Sequence, residues 1–185
     1  KEQVRPSSKT STTQLNNFIK LDDNKFEIVF NASSSVYDGR FANNGWLQEI
    51  PKPVTSLTWD NAALISIKVA KKLNIKNGQM IEIKIDNKSI KLPAWITPGQ
   101  NQKSISLELG YGREFQGRLG NGVGFNVYPL RMSNNPSYSL NASISVLDET
   151  YPLASTQDHH GLEQDQYAAP GFDKETMDVI QKKPN

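Results

Sequence analysis

The sequence has no cysteine and contains two histidines. Without cysteine the chain forms no disulfide, no thiolate metal site and no cysteine-held iron–sulfur cluster. No apolar run reaches the roughly 18 residues that a transmembrane helix needs, so no transmembrane segment is predicted. A strong excess of one charge is also missing, because the formal net charge is +2. That balance gives no indication of nucleic-acid binding or of an acidic tail.

The two ends of the chain are polar, whereas the middle carries the apolar patterns. A length of 185 residues suits one well-packed domain with flanking arms, or two very small domains, and we favour one. We interpret residues 1–20 as a flexible arm or linker, residues 21–150 as the folded domain and residues 151–185 as a polar C-terminal extension. Because the chain begins with Lys1, we expect a processed chain or a piece of a longer one.

The central stretch, residues 58–95, combines two periodicities. It reads TWDNAALISIKVAKKLNIKNGQMIEIKIDNKSIKLPAW, with apolar residues first at helical spacing and then in alternation. This pattern predicts a short helix followed by a β-hairpin. We expect Asp60 or Asn61 to cap the helical segment and Asn77-Gly78 to end it. Pro93 is expected to end regular strand pairing, because proline has no N–H to donate.

Further strands are predicted on both sides of this stretch. FEIVF at 26–30 is a strand candidate, and alternating apolar residues predict two more, around 105–109 and 140–146. The tryptophans Trp46, Trp59 and Trp95 have apolar neighbours, so we expect them in the core. The pattern predicts a mainly β (α+β) fold: a barrel of five to seven strands with one or two short helices and polar flanking arms.

The segment from 109 to 131, LGYGREFQGRLGNGVGFNVYPLR, holds six glycines and is called here the glycine-rich loop. Glycines let a backbone approach a ligand closely, and Arg113, Arg118 and Arg131 are suited to phosphate contacts. The loop does not match a P-loop, and it resembles a dinucleotide-binding loop only loosely. The alternative is a crossing loop whose glycines serve the tight path of a closed barrel.

Asp158-His159-His160 is a second candidate site, with Glu163 and Asp165 nearby in the sequence. Adjacent histidines point in different directions on an extended chain, so one metal ion would need further ligands. The alternatives are a solvated linker or a contact with a neighbouring chain or domain.

Enzymatic constellations are not evident elsewhere. The sequence has no G-x-S-x-G motif, and Glu82, Glu108 and Glu114 show no pairing pattern. We therefore predict no catalytic residue and no metal ligand.

The segment AKKLNIKNGQMIEI, residues 70–83, followed by Pro98-Gly99, resembles the C-terminal domain of the molybdopterin oxidoreductase superfamily. Gln79 stands where that family often has an acidic residue. The resemblance implies a double-psi β-barrel, which in the family binds the dinucleotide end of the cofactor.

Three longer blocks, at 43–66, 109–131 and 152–163, resemble the molybdopterin-oxidoreductase-like iron–sulfur subunit of alternative complex III. That complex is a bacterial quinol:electron-acceptor oxidoreductase of the respiratory chain. The resemblance implies a structural and assembly domain with no cofactor in this chain, and iron–sulfur clusters in the parent subunit outside this segment.

The same resemblance implies partners and a location. The partners are the rest of the parent chain, a multihaem cytochrome c and a quinol-binding membrane subunit, and no nucleic acid. The location is the periplasmic face of the bacterial cytoplasmic membrane, in peripheral association. The chain alone is expected not to be catalytic.

Two alternatives remain open. In an active molybdopterin oxidoreductase this domain would bind molybdopterin guanine dinucleotide. The contacts would then come from Arg113, Asn121 and Asn126, with Asn126 favoured because it lies in the G-x-N-x-Y-P-L stretch. The other alternative is a double-psi barrel used purely for protein recognition.

Overall fold

The computed structural model describes residues 22, 24–115, 119 and 121–156. These residues form a closed six-stranded barrel with two short α-helices and one 3-10 helix. The strands are β1 (Phe26–Asn31), β2 (Ala63–Ile65), β3 (Gln79–Ile85), β4 (Lys88–Ile96), β5 (Ser104–Glu108) and β6 (Tyr138–Thr150). The helices are α1 (Gly45–Glu49), α2 (Ile67–Leu73) and the 3-10 helix Tyr128–Leu130. The predicted mainly β barrel with one or two short helices is confirmed.

Around the barrel the strands follow the order β1-β5-β2-β4-β3-β6, and β6 returns to β1. The pairs β1–β5 and β2–β4 are parallel, while the other neighbours are antiparallel. Parallel neighbours cannot be joined by a tight hairpin. The parallel pairs β1–β5 and β2–β4 are therefore separated along the chain by other elements. The glycine-rich loop is part of the long connection between β5 and β6, which are not neighbours in the barrel.

Alternating apolar residues fill the interior of the barrel. Ile81 and Ile83 of β3 are fully buried, as the period-two pattern predicts, and so are Ile105 and Leu107 of β5. Ile83 lies opposite Ile90 in the β3–β4 hairpin, whose turn begins at Asp86 in the left-handed region. One continuous core thus connects all six strands of the described residues with one face of α2.

The helix α2 begins and ends at residues other than those predicted. Ser66 caps its N-terminus by accepting from the Val69 amide at 3.2 Å, so the predicted capping by Asp60 or Asn61 is wrong. The reason is that residues 63–65 form strand β2, which delays the start of the helix. The helix ends at Leu73 with Asn74 in the left-handed conformation, before the predicted stop at Asn77-Gly78.

Pro93 does not end its strand. It faces Met80 in the last residue pair between β4 and β3, and from Ala94 onward β4 pairs with β2 instead. The missing N–H of proline therefore lies where the strand changes partner, and the predicted end of regular pairing is wrong.

Trp46 does not lie in the core. It is 84% exposed on α1, whose buried residues are Gly45 and Gln48, three positions apart on the opposite face. Trp59 and Trp95 are half-buried.

Within the part of the chain that the structure describes, no helix is both long enough and apolar enough to cross a membrane. Residues 1–21 and 157–185, which include Asp158-His159-His160, lie outside the described residues. The division into arm, barrel and extension stays a prediction.

Candidate functional site

The strand directions bring the long loops together at one end of the barrel. β1 and β5 are parallel, with Asn31 opposite Glu108, so the segments that follow them leave the barrel at the same end. β2 runs antiparallel to β5 and therefore begins at this end. Residues 32–62 and the glycine-rich loop consequently meet there, at what we call the loop end.

Asn61 joins the base of the glycine-rich loop to strand β5. Its side chain is almost fully buried, and its Nδ2 donates to the Glu108 carbonyl at 2.9 Å and to the Phe125 carbonyl at 3.0 Å. Its Oδ1 accepts from the Phe125 amide at 2.7 Å. One side-chain amide thus makes three hydrogen bonds to backbone groups of Glu108 and Phe125. These bonds hold Phe125 of the glycine-rich loop next to Glu108 at the end of β5.

Lys52 is a buried cation beneath the same loop. Only 4% of its side chain is exposed, and its Nζ lies 3.3 Å from Glu108 Oε2. The Nζ also donates to the Asp60 carbonyl and lies 4.7 Å from the centre of the Tyr111 ring. The Tyr111 hydroxyl in turn lies 3.2 Å from Ser33 Oγ. These contacts pair the buried charge and connect four chain segments.

Asp60 contacts the C-terminal half of the glycine-rich loop. Its Oδ1 accepts from the Gly124 amide at 2.9 Å, and both carboxylate oxygens lie 3.3 Å from the Tyr151 hydroxyl. Burial raises the pKa of Asp60, and the hydrogen bonds and Lys52 oppose this increase. The pKa of Tyr151 is raised by its own burial and by the adjacent carboxylate. The Tyr151 ring also packs edge-on against Phe125, with centroids 5.1 Å apart.

The turn at Asp38 anchors the outer side of the loop. Its carbonyl accepts from the Tyr128 hydroxyl at 2.7 Å and from Arg113 Nη2 at 3.4 Å. The Arg40 guanidinium hydrogen-bonds the Asp38 carboxylate and lowers the pKa of that group to about 2. The glycine-rich loop is therefore held by the buried residues Asp60 and Asn61 and by the exposed turn at Asp38.

Two of the loop glycines are required by the packing of the chain against itself. Gly112 has a φ of +70°, and a Cβ at this position would overlap the Asn126 amide nitrogen. Gly124 has a φ of +67°, and a Cβ there would lie 2.7 Å from Tyr111 Cβ and 2.8 Å from Asn61 Oδ1. Gly122, also at +70°, faces open space. At Gly112 and Gly124 the space that glycine leaves is thus filled by the protein.

The three predicted cofactor-binding residues, Arg113, Asn121 and Asn126, are all exposed on the glycine-rich loop. The Arg113 carbonyl accepts from the Gly122 amide at 3.2 Å, which places Arg113 across from the turn that contains Asn121. Asn126 Oδ1 accepts from the Tyr128 amide at 3.0 Å. The side chains of Arg113 and Asn126 therefore both contact the protein's own backbone.

Of the two other arginines suggested for phosphate contacts, Arg131 contacts the protein itself. Arg131 Nε donates to the Pro136 carbonyl at 2.7 Å, and its guanidinium lies over the Tyr128 ring. Arg118 lies outside the described residues. Gly112 and Gly124 are filled by protein atoms, so neither position leaves room for a ligand against its backbone.

Metal-ligating groups do not converge within the described residues. No group of three or more histidine, aspartate or glutamate side chains is placed to hold a metal ion among them.

The polar network of the loop end does not follow from the sequence. Its buried members are Lys52, Asp60, Asn61 and Tyr111, and its half-buried members are Glu108 and Tyr151. The pair Asp60-Asn61 precedes an apolar segment, which is also the pattern of a helix cap, and this explains the wrong interpretation. No local pattern connects Lys52 to a carboxylate 56 positions further along the chain.

No family model matches the sequence, and no curated protein matches it either. Among solved structures, acetylene hydratase from Pelobacter acetylenicus is similar, with a TM-score of 0.49 and 15% sequence identity. The match covers 64% of this chain and 18% of that chain. At this score and identity the likeness carries no functional argument. The closed six-stranded barrel itself fits the molybdopterin-oxidoreductase-like domain that the sequence resembles.

Proposed function

We propose that this chain is a structural and assembly domain of the molybdopterin-oxidoreductase-like iron–sulfur subunit of alternative complex III. The resemblance of the blocks at 43–66, 109–131 and 152–163 supports this function, and the barrel fold is compatible with it. In this role the domain lies at the periplasmic face of the cytoplasmic membrane. A membrane partner oxidises quinol, and clusters and haems on other parts of the complex carry the electrons.

The packing of Gly112 and Gly124 carries the proposal. In a cofactor-binding loop, glycines admit a ligand close to the backbone, whereas here these two positions admit the Asn126 amide, Tyr111 and Asn61. The same loop is tied down by Asp60 and Asn61. A loop that is filled and fixed in this way is suited to structure and to presenting a surface, and not to ligand binding.

The loop end also offers apolar surface. Trp46 is 84% exposed on α1, and Phe115 is 94% exposed on the glycine-rich loop. Leu119 of the same loop lies against Gly45 of α1, where a Cβ would be 3.1 Å from Leu119 Cδ1. Exposed aromatic side chains are enriched at protein–protein interfaces, so we assign partner contacts to this face.

The test is affinity purification of the full-length parent protein from its membrane, followed by mass spectrometry of the retained subunits. A multihaem cytochrome c and a quinol-binding membrane subunit are expected to co-purify. The double substitution Trp46→Ser and Phe115→Ser should lower their recovery several-fold, because it removes two aromatic contacts. The matched control is Tyr138→Ser and Val146→Ser, which changes two exposed apolar residues on β6. Recovery of the parent protein without any redox subunit would contradict the proposal.

The second candidate is the cofactor-binding domain of an active molybdopterin oxidoreductase. One observation favours it: Gly122 has a positive φ, faces open space and lies beside the exposed Asn121. In that case Arg113, Asn121 and Asn126 would hold molybdopterin guanine dinucleotide, which would supply the redox chemistry together with a metal ion. Stoichiometric pterin in the purified parent protein would establish this candidate instead.

A further inference from the structure

A cleft of about 510 Å³ lies on the outer face of strands β2 and β5. Leu64 of β2 marks this face, because it is half-buried between the fully buried Ala63 and Ile65 and lies opposite Ser106 of β5. Much of the wall is apolar and comes from Ala32, Pro53, Val54, Leu64 and Pro98. We call this cavity the outer cleft. No described residue of the glycine-rich loop lines it.

The outer cleft contains the ion pair of Lys52 and Glu108, which are the only charged residues among the described residues that line it. Lys52 Nζ lies 3.3 Å from Glu108 Oε2, donates to the Asp60 carbonyl and lies over the Tyr111 ring. These three contacts engage the three N–H groups of the ammonium. Because Lys52 contacts Glu108 at Oε2, the other carboxylate oxygen, Oε1, remains an acceptor for a ligand.

This ion pair selects against charged ligands. An anion finds no free donor on Lys52 and is repelled by the Glu108 carboxylate. A cation is attracted by the carboxylate but repelled by the ammonium group that already neutralises it. An uncharged molecule with an O–H group avoids both repulsions and still forms a charge-assisted hydrogen bond with the carboxylate.

Thr97 provides a second polar position in the outer cleft. It is 7% exposed, lines the cleft, and its Oγ1 has no hydrogen-bond partner. A buried hydroxyl without a partner costs free energy, which a ligand that pairs it restores. The Thr97 amide donates to the Ile65 carbonyl at 2.9 Å, so Thr97 lies beside the C-terminal end of β2. Glu108 lies beside the start of β2, because β5 runs antiparallel with Ser106 opposite Leu64.

We propose that the outer cleft binds an uncharged small molecule with an apolar body and a hydroxyl group at each end. One hydroxyl donates to Glu108 Oε1, and the other pairs with Thr97 Oγ1. The body packs against Val54 and Leu64, which lie in the apolar wall. The volume is in the range of about 300–1,000 Å³ that is typical of small-molecule sites, as is a mainly apolar lining with few polar groups.

The test is a titration of the isotope-labelled chain with four molecules of one skeleton, followed by amide NMR shifts. Tyrosol is uncharged and carries a hydroxyl at each end. Tyramine is its cationic analogue, para-hydroxyphenylacetate is its anionic analogue, and phenethyl alcohol lacks the phenol hydroxyl. Tyrosol should bind several-fold more tightly than each of the others and should shift the amides of Val54, Leu64 and Gly99, which line the cleft.

Thr97→Val removes Oγ1 with little change of shape. It should abolish most of the preference for tyrosol over phenethyl alcohol and leave the affinity for phenethyl alcohol within about twofold, because only tyrosol has the second hydroxyl. The matched control is Thr58→Val, at a buried threonine that does not line the outer cleft, and it should retain the preference. Thermal unfolding of each variant verifies that it is folded.

Glu108→Gln removes the negative charge and leaves the Lys52 ammonium in place. The order of affinities should then change in favour of para-hydroxyphenylacetate, since the cleft now carries a positive charge. A loss of structure would weaken all four molecules and would not reverse their order. Glu27→Gln removes the same charge from a half-buried position of β1 that does not line the cleft, and it should leave the order unchanged.

Several outcomes would overturn the proposal. They are no saturable binding of tyrosol, tighter binding of tyramine or para-hydroxyphenylacetate to the unmodified chain, and shifts confined to amides outside the outer cleft. An unchanged preference in Thr97→Val, or an unchanged order in Glu108→Gln, would also overturn it. None of these results depends on the complex to which the domain belongs, so the test is independent of the proposed assembly role.

Discussion

Lys52 is the charged residue on which the loop end depends most. It is 4% exposed and contacts Glu108, the Asp60 carbonyl and the Tyr111 ring. Lys52→Met should reduce the free energy of unfolding by about 3 kcal/mol, because it leaves the Glu108 carboxylate without its partner. Urea unfolding followed by tryptophan fluorescence measures the effect.

The control for this substitution is Lys91→Met at an exposed position of β4, which should change stability by less than about 0.5 kcal/mol. In the double variant Lys52→Met and Glu108→Gln, part of the loss should be recovered, since the unpaired carboxylate is gone. Equal stability of Lys52→Met and the unmodified chain would show that the buried pair contributes nothing.

The raised pKa of Asp60 predicts in which direction the stability of the domain changes with pH. Burial raises its pKa in the folded state, so the folded chain holds this proton more tightly than the unfolded chain. The stability that this provides is present below the ordinary pKa of aspartate and is lost as the pH rises through the raised value.

Asp60→Asn stays neutral throughout and retains a carbonyl oxygen for the Gly124 amide. The stability of this variant relative to the unmodified chain should therefore increase from acidic to neutral pH. Chemical unfolding at several pH values measures the difference. A difference that is constant, or that decreases as the pH rises, would contradict the raised pKa.

At the residue scale, sequence reasoning recognised side-chain types better than their partners. The sequence predicts that Asp60 or Asn61 accepts from the amides of a following helix, but the amides that they accept from belong to Gly124 and Phe125. Those partners are 64 residues away along the chain. A local rule for helix caps has no access to them, because the fold alone brings them together.

The glycine-rich loop is the element whose role distinguishes the two candidate functions. Gly112 and Gly122 share a φ of +70° but differ in what surrounds them. Both alanine substitutions carry the strain of a left-handed residue, roughly 1 kcal/mol. Gly112→Ala should cost about 2 kcal/mol more than Gly122→Ala, because its Cβ would overlap the Asn126 amide.

Thermal or urea unfolding of the two variants gives this comparison directly, with Gly122→Ala as the matched control for backbone strain. Equal destabilisation by the two substitutions would mean that the loop is not packed as described. A structural role for the loop would then have no support.

The sequence best predicts those helices and strands whose apolar residues keep a regular spacing over several residues. The β3–β4 hairpin and β5 follow from strict alternation, and α2 follows from apolar residues at helical spacing. Strand β2 was missed because Ala63–Ile65 is three residues long and continuous with the helical pattern.

The long β6 was predicted, but its alternation changes phase near Asn141, which has a φ of 62°. Val146 lies beyond this irregularity, opposite the buried Ile81 of β3, and is 39% exposed.

At the scale of the whole molecule, the class of fold could be predicted and the closure of the barrel could not. Short strands with abundant turns indicate a barrel, but the parallel pairing of β1 with β5 joins strands about 75 residues apart. The resemblance implies a double-psi barrel, and the described residues form a closed six-stranded barrel. The polar network at the loop end depends on this closure, since Ser33 after β1 and Tyr111 after β5 come within 3.2 Å because β1 and β5 pair.

The proposed function places this domain in a longer, membrane-associated protein, and metal and pterin analysis of that purified protein tests the central claim most directly. We predict iron and haem without stoichiometric molybdenum, tungsten or pterin, because Gly112 and Gly124 are filled by the chain's own atoms. Stoichiometric pterin with molybdenum or tungsten would contradict the account. Arg113, Asn121 and Asn126 would then be the first residues to substitute.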